Sequence, residues 1–293
     1  MELEHRTSKA RYKWTDKREF VRQLARIERR EACLRRIRAR LLQTGQIGET
    51  VATTLPEHHH IGASQNQFEH ISTLLQRNSG DPAVNEFLPK LQRHLLPRIL
   101  SSLYPNTNTT NLHAEVDSLP DLSQCSSHSL LFKYDRMYKH NIIRVNYTTY
   151  DVRRSQEVAN ASTSHCSIMV LNDTEDEAHP FRYARILGIY HVNVVYVGPG
   201  MVDHQPRRLE FLWVRWYQRT AVLNTRWGAR KLDTVQFPPV TSDEAFGFID
   251  PSEVLRCCHI VPAFAQGKVR IDGRGRSHCA RDSSDWRTYY INR

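Results

Sequence analysis

The sequence has no apolar run approaching the ~20 residues that a membrane-spanning helix needs, so no transmembrane segment is expected. Cysteine is scarce, with six in 293 residues. That is too few for a disulfide scaffold, and no C-x2-C pair is present to seed a zinc site. Glycine and proline, at 12 and 13, are far below collagen-like or low-complexity content. The G-x-G-x-x-G fingerprint, the P-loop and the G-x-S-x-G nucleophile elbow are all missing, so the common dinucleotide, nucleotide and hydrolase signatures do not apply. Residues 1–15, MELEHRTSKARYKWT, lack the apolar stretch of a secretory signal, and no leader is expected in them.

Positive charge is plentiful. There are 41 Lys and Arg against 31 Asp and Glu, a formal net charge of +10. The excess is concentrated. Residues 1–45 hold 14 basic and six acidic side chains, whereas the remaining 248 residues hold 27 and 25. A local block of this kind neutralises phosphates, whereas a dispersed excess mainly affects solubility. From Thr15 to Gly45 the pattern predicts one long amphipathic helix, with Thr15 or Asp16 as N-cap and Gly45 as stop. Phe20, Leu24, Ile27, Leu34, Ile37 and Leu41 form the apolar stripe, and Arg22, Arg26, Arg29, Arg30, Arg36 and Arg40 the opposite face. Arginine suits bidentate phosphate contact, so these six are the candidate nucleic-acid-binding residues, with DNA as the expected partner. The competing readings are a solvated charged face on a helix packed against another element, and binding to a membrane surface.

Residues 46–104 are expected to be a short helical segment after a loop at 46–62 that contains His58, His59 and His60. Three adjacent histidines diverge on any regular element and do not converge on one metal. Phe68, Ile71, Leu74 and Leu75 predict one short helix, and Asp81-Pro82 a helix start. Leucines from Leu88 to Leu103 continue with helical spacing, but Pro89 and Pro97 predict two or three kinked pieces. Residues 105–129, rich in Asn, Thr and Ser, read as a flexible linker and domain boundary.

From Leu130 the texture becomes β. Leu130–Tyr138, Asn141–Tyr150, Ser167–Leu171, Tyr183–Val197, Arg208–Gln218 and Ala229–Phe237 are rich in β-branched and aromatic residues and separated by turn residues. Several strands without long intervening helices predict a small antiparallel barrel or sandwich over 130–293. In EFLWVRWY, Phe211, Trp213, Arg215 and Tyr217 share one face, and Leu212, Val214 and Trp216 the other. Arg215 argues that the second set is core, which leaves Trp213 and Tyr217 near the surface as candidate partner-binding aromatics.

The blocks FRYARILGIY, LEFLWVRWY and DEAFGFIDPSEVLRCCHIVPAF, over about Phe181–Phe264, resemble the BAH (bromo-adjacent homology) domain in order and texture. That resemblance implies an SH3-like barrel that binds chromatin proteins. ELEHRTSKARY, QLARIERREACLRRIRARL, HHHIGASQNQ, DPAVNEFLPKLQRHLL, RVNYTTYDVRR, HPFRYARILGIYHVNVVYVGPGMVD and DPSEVLRCCHIVPAFAQGKV look like the C-terminal region of Plavaka-type transposases of the CACTA superfamily in fungi. In that family the region follows an RNase H-like catalytic domain with an acidic triad, which is not recognisable here. The resemblance implies a truncated or domesticated transposon-derived nuclear protein, and no catalytic residue carries over.

Cys257-Cys258-His259 and His278-Cys279 do not have zinc-ligand spacing, and no metal or cofactor is assigned. The expectation is therefore an α+β chain: a basic arm at 1–45, helices at 46–104, a linker and a mostly-β barrel. Its expected role is non-catalytic binding of DNA through the arm and of a chromatin or protein partner through the β domain. A pure protein-interaction or oligomerisation module and an inert gene fragment are the alternatives.

Overall fold

The computed structural model describes residues 19–23, 25, 58–103, 129–148, 154–172, 179–199, 203–220 and 233–292. The chain divides between Leu55 and Pro56. In the first unit Phe20 to Gln23 and Ala25 are helical, and the Gln23 amide donates to the Glu19 carbonyl at 3.2 Å. Most of the expected basic helix, and the expected linker up to residue 128, lie outside the described residues.

Among the described residues the second unit is mostly antiparallel β with two α-helices. Its spine is β7 (Phe181–Tyr196), sixteen residues long. The first half of β7 pairs with β6 (Ser167–Leu171) and the second half with β3 (Leu130–His140). Along its other edge runs β8 (Arg207–Trp216). Beyond β8 lies β11 (Phe246–Ile249), beyond β3 lies β2 (Phe68–His70), and β12 (Val254–Cys257) pairs with β6. The register of β7 against β8 shifts at Gly188, where a Cβ would fall 2.2 Å from the Tyr190 ring. Only glycine fits that bulge.

A second sheet joins β1 (His59–Ile61), β4 (Ile142–Thr148) and β5 (Arg154–Asn160). A third runs β13 (His259–Pro262), β14 (Tyr289–Asn292), β10 (Thr234–Gln236) and β9 (Gln218–Arg219). Among the described residues no hydrogen-bonded path closes into a barrel.

Three apolar cores explain why β7 and β8 are buried on both faces. On one face α1 (Ile71–Arg77) and α2 (Phe87–Leu103) pack Ile71, Leu91, Leu95 and Ile99 against Tyr190, Val192, Phe211 and Trp213. The other face meets Ile168, Val170, Ile249 and Val254 through Ile186, Leu212 and Val214. The third core gathers Tyr183, Tyr217, Val235, Tyr289 and Ile291 under the third sheet. A strand covered on both faces reads as a near-continuous apolar run, as ILGIYHVNVVY does.

Several expectations are corrected. The helices at 71–103 are not a separate segment; they complete the core of the β unit. The region around the three histidines is not wholly a loop, because His59–Ile61 pairs with β4. Phe68 belongs to a strand and not to the first helix. Asp81 does cap a helical start: its carboxylate accepts from the Ala83 amide at 2.9 Å, over a single 3-10 turn at Pro82–Val84. The leucine run is one helix of 17 residues. Pro89 falls in its first turn, where an amide hydrogen has no intrahelical partner to lose. Pro97 lies inside it, and the Ser101 hydroxyl donates to the Pro97 carbonyl at 2.9 Å.

Candidate functional site

Arg22 lies on the exposed surface, its guanidinium 4.0 Å from the Glu19 carboxylate. Arg26, Arg29, Arg30, Arg36 and Arg40 lie outside the described residues.

Trp213 and Tyr217 do not sit near the surface as expected. They are 4% and 8% exposed. Trp213 meets Phe87 of α2 edge-on at 5.2 Å, and Tyr217 stacks on Phe237 at 4.2 Å. The inference from Arg215 failed because Arg215 is itself buried, at 3% exposure, with its charge matched. Its guanidinium donates to Asp285 at 2.5 Å, Arg185 donates to the other carboxylate oxygen at 3.0 Å, and Asp285 is also buried. Phe237 lies under both guanidinium groups, 3.9 Å from that of Arg215 and 4.3 Å from that of Arg185. Tyr217 and Tyr289 flank Arg185 at 6.0 Å each. Three aromatic faces therefore surround a cation, as a methyl-lysine cage requires, but the cation is the chain's own arginine. Trp213 and Tyr217 are thereby removed as partner-binding residues.

The structure assembles instead a polar ledge across four strands. Register places Phe68, Tyr138, His191 and Glu210 in one row over β2, β3, β7 and β8. Tyr138 stacks on His191 at 4.7 Å, and His140 and His191 share a hydrogen bond of 2.6 Å. At the far end Glu210 accepts from Arg208 at 2.6 Å and is 3.1 Å from His59 Nε2. Burial and the nearby Arg208 push His191 down to about 4 and lower His140 as well. Burial alone would raise Glu210, but hydrogen bonds from His59 and Arg208 outweigh it and hold the carboxyl below its usual range. At neutral pH His191 is thus an uncharged imidazole in a row that ends on one matched carboxylate. A proton acceptor at about 4 is poorly placed for general-base work near pH 7. Sequence reasoning weighed the run His58–His60 and the Cys-His pairs near the C-terminus, and missed this row. The alternation Tyr134, Arg136, Tyr138, His140 was the available signal.

Among the described residues no group of three or more His, Cys, Asp or Glu side chains has metal-holding geometry. Burial pushes the Cys257 and Cys258 thiols up to about 12, so neither is a thiolate at neutral pH. A cleft of about 510 Å³ opens beside the start of α2, with Val84, Val240 and Phe246 on its apolar lining and Asp81, Glu86 and Asp243 among its polar groups. No helix among the described residues is long and apolar enough to cross a membrane. Comparison with known proteins adds no relative: no family model, no curated protein and no solved structure matches the chain.

Proposed function

We propose that the chain is a non-catalytic, transposon-derived nuclear protein that binds DNA through its basic N-terminal arm and presents a β unit to protein partners. One observation carries the DNA reading: 14 basic against six acidic residues in the first 45, while the rest of the chain is nearly balanced. The exposed position of Arg22 supports it. Each phosphate neutralised releases condensed counterions, so such an arm binds with a steep salt dependence.

The finer reading of the β unit is a BAH-like, SH3-like barrel. Its support is the strand order β12-β6-β7-β8-β11 around one apolar core, with β11 and β12 joined by a 3-10 turn at Pro251–Glu253 that Asp250 caps. That reading makes the β unit a partner-binding module, with the contact made elsewhere than at Trp213 and Tyr217. The cleft beside α2 favours a protein-interaction role without nucleic acid as the second reading.

The test is binding of the full chain to a labelled DNA duplex by fluorescence anisotropy. Replacing Arg22, Arg26, Arg29, Arg30, Arg36 and Arg40 by Gln is expected to weaken binding by at least about a hundredfold at low salt. Equal binding by the substituted chain would refute the arm as the DNA contact.

A further inference from the structure

We propose that Tyr134, Arg136 and Phe68, at the exposed end of the ledge, form a stacking platform for single-stranded nucleic acid, with Lys133 and Arg136 meeting its phosphates. The partner class rests on the nucleic-acid reading above, but the residues are separate from the arm.

The geometry begins with a bulge in β3. Pairing with β7 breaks between Phe132 and Met137, and Tyr134 and Asp135 take φ of 59° and 55°. Two consecutive left-handed residues with side chains are seldom found outside a specified turn. Their effect is to lift Tyr134 off the sheet, where it is 67% exposed. The bulge is held from behind: the Asp135 carboxylate accepts from both the amide and the hydroxyl of Ser72, at 3.0 and 2.5 Å.

Beside Tyr134 the Arg136 guanidinium lies over the Phe68 ring at 4.2 Å and 5.4 Å from the Tyr134 ring. Lys133 Nζ is 5.3 Å from the Tyr134 ring. Phe68 is 44% exposed and meets Tyr138 and His70 edge-on. Planar groups thus follow one another as ring, guanidinium, ring. Arg136 Nε is shielded and has no hydrogen-bond partner among the described residues, so stacking rather than hydrogen bonding at that atom places its plane.

Charge selects the occupant. Lys133 and Arg136 face this surface, Glu69 is ion-paired with Arg77 at 2.6 Å, and the Asp135 carboxylate keeps its charge but is turned onto the Ser72 amide and hydroxyl. An anionic chain is therefore favoured. Among anionic chains, unpaired nucleotides use both features, because every base has a π-face that stacks on aromatic rings or on a guanidinium plane. Bases inside a duplex offer no such face, and an acidic peptide would leave both rings idle.

The test uses the full chain, a fluorescein-labelled oligothymidine of about 12 nucleotides and a labelled duplex. Tyr134→Ala and Phe68→Ala are each expected to weaken single-strand binding about tenfold and to leave duplex binding unchanged. Tyr134→Phe keeps the ring and is expected to bind as the parent does, which separates lost stacking from lost folding, with circular dichroism as the check on fold. Unchanged single-strand affinity in both alanine variants would overturn the platform. So would failure of the parent to bind the single strand, or equal competition by poly-glutamate. The arm substitutions report separately: if they leave duplex binding intact while Tyr134→Ala still costs single-strand affinity, the arm fails and the platform stands.

Discussion

At the residue scale, the buried ion cluster shows how one acid governs two cations. Asp285 accepts from both Arg185 and Arg215 in a site closed by Phe237. Removing the acid leaves the buried Arg215 guanidinium and the half-buried Arg185 guanidinium without their shared counter-charge. Asp285→Asn is expected to cost about 3–5 kcal/mol, read by urea unfolding, whereas an exposed pair such as Arg22–Glu19 should cost nothing measurable when broken. The ledge histidines make a pH prediction. The folded chain holds His191 at about 4, below the ordinary 6.5, as it does His94, again by burial. The unfolded chain therefore binds more protons between about pH 4 and 6.5, and stability rises with pH across that window. Each histidine contributes at most about 1.4 kcal/mol per pH unit there. His191→Phe should flatten the profile below pH 6.5 and leave it unaltered above, as measured by thermal or urea melts across pH.

At the scale of elements, α2 is the piece whose role sequence reasoning misjudged. Its apolar positions were legible from their spacing, but spacing does not say what a helix covers. Leu95 is fully buried against the same sheet face that holds Phe211 and Trp213. Leu95→Ala is expected to cost about 2–5 kcal/mol and to lower a single transition in which helix and sheet signals melt together. Two separate transitions would contradict a shared core. The strands were legible where the pattern is strong: Ser167–Leu171 matches its expected bounds, and β3, β7 and β8 differ by two residues or fewer at each end. Short pieces such as β1, β2 and β11 to β14 were not, because three or four residues hold too little periodicity. The face of β8 was misassigned for a different reason. Alternation assumes one core and one solvent side, and β8 has a core on each side. The alternation Tyr134, Arg136, Tyr138, His140 marks one face of β3, but the ledge also needs the register of β2, β7 and β8, and the platform the pairing of β2 with β3, which the alternation does not give.

At the scale of the whole molecule, the excess charge and the described cores fall in different stretches of the chain. The unit from Pro56 onward supplies three cores, a matched ion cluster and a surface of stacked planar groups. The excess positive charge belongs to the first 45 residues. That separation predicts two nucleic-acid contacts with different physics: an arm governed by salt, and a platform governed by stacking. The most direct measurement is the salt dependence of duplex affinity for the full chain and for its sixfold Arg→Gln variant. If the six arginines meet phosphates, the parent's log-log slope approaches about −5 and the variant's falls toward zero. A parent slope near zero, or the same slope in both chains, would contradict DNA binding through the arm.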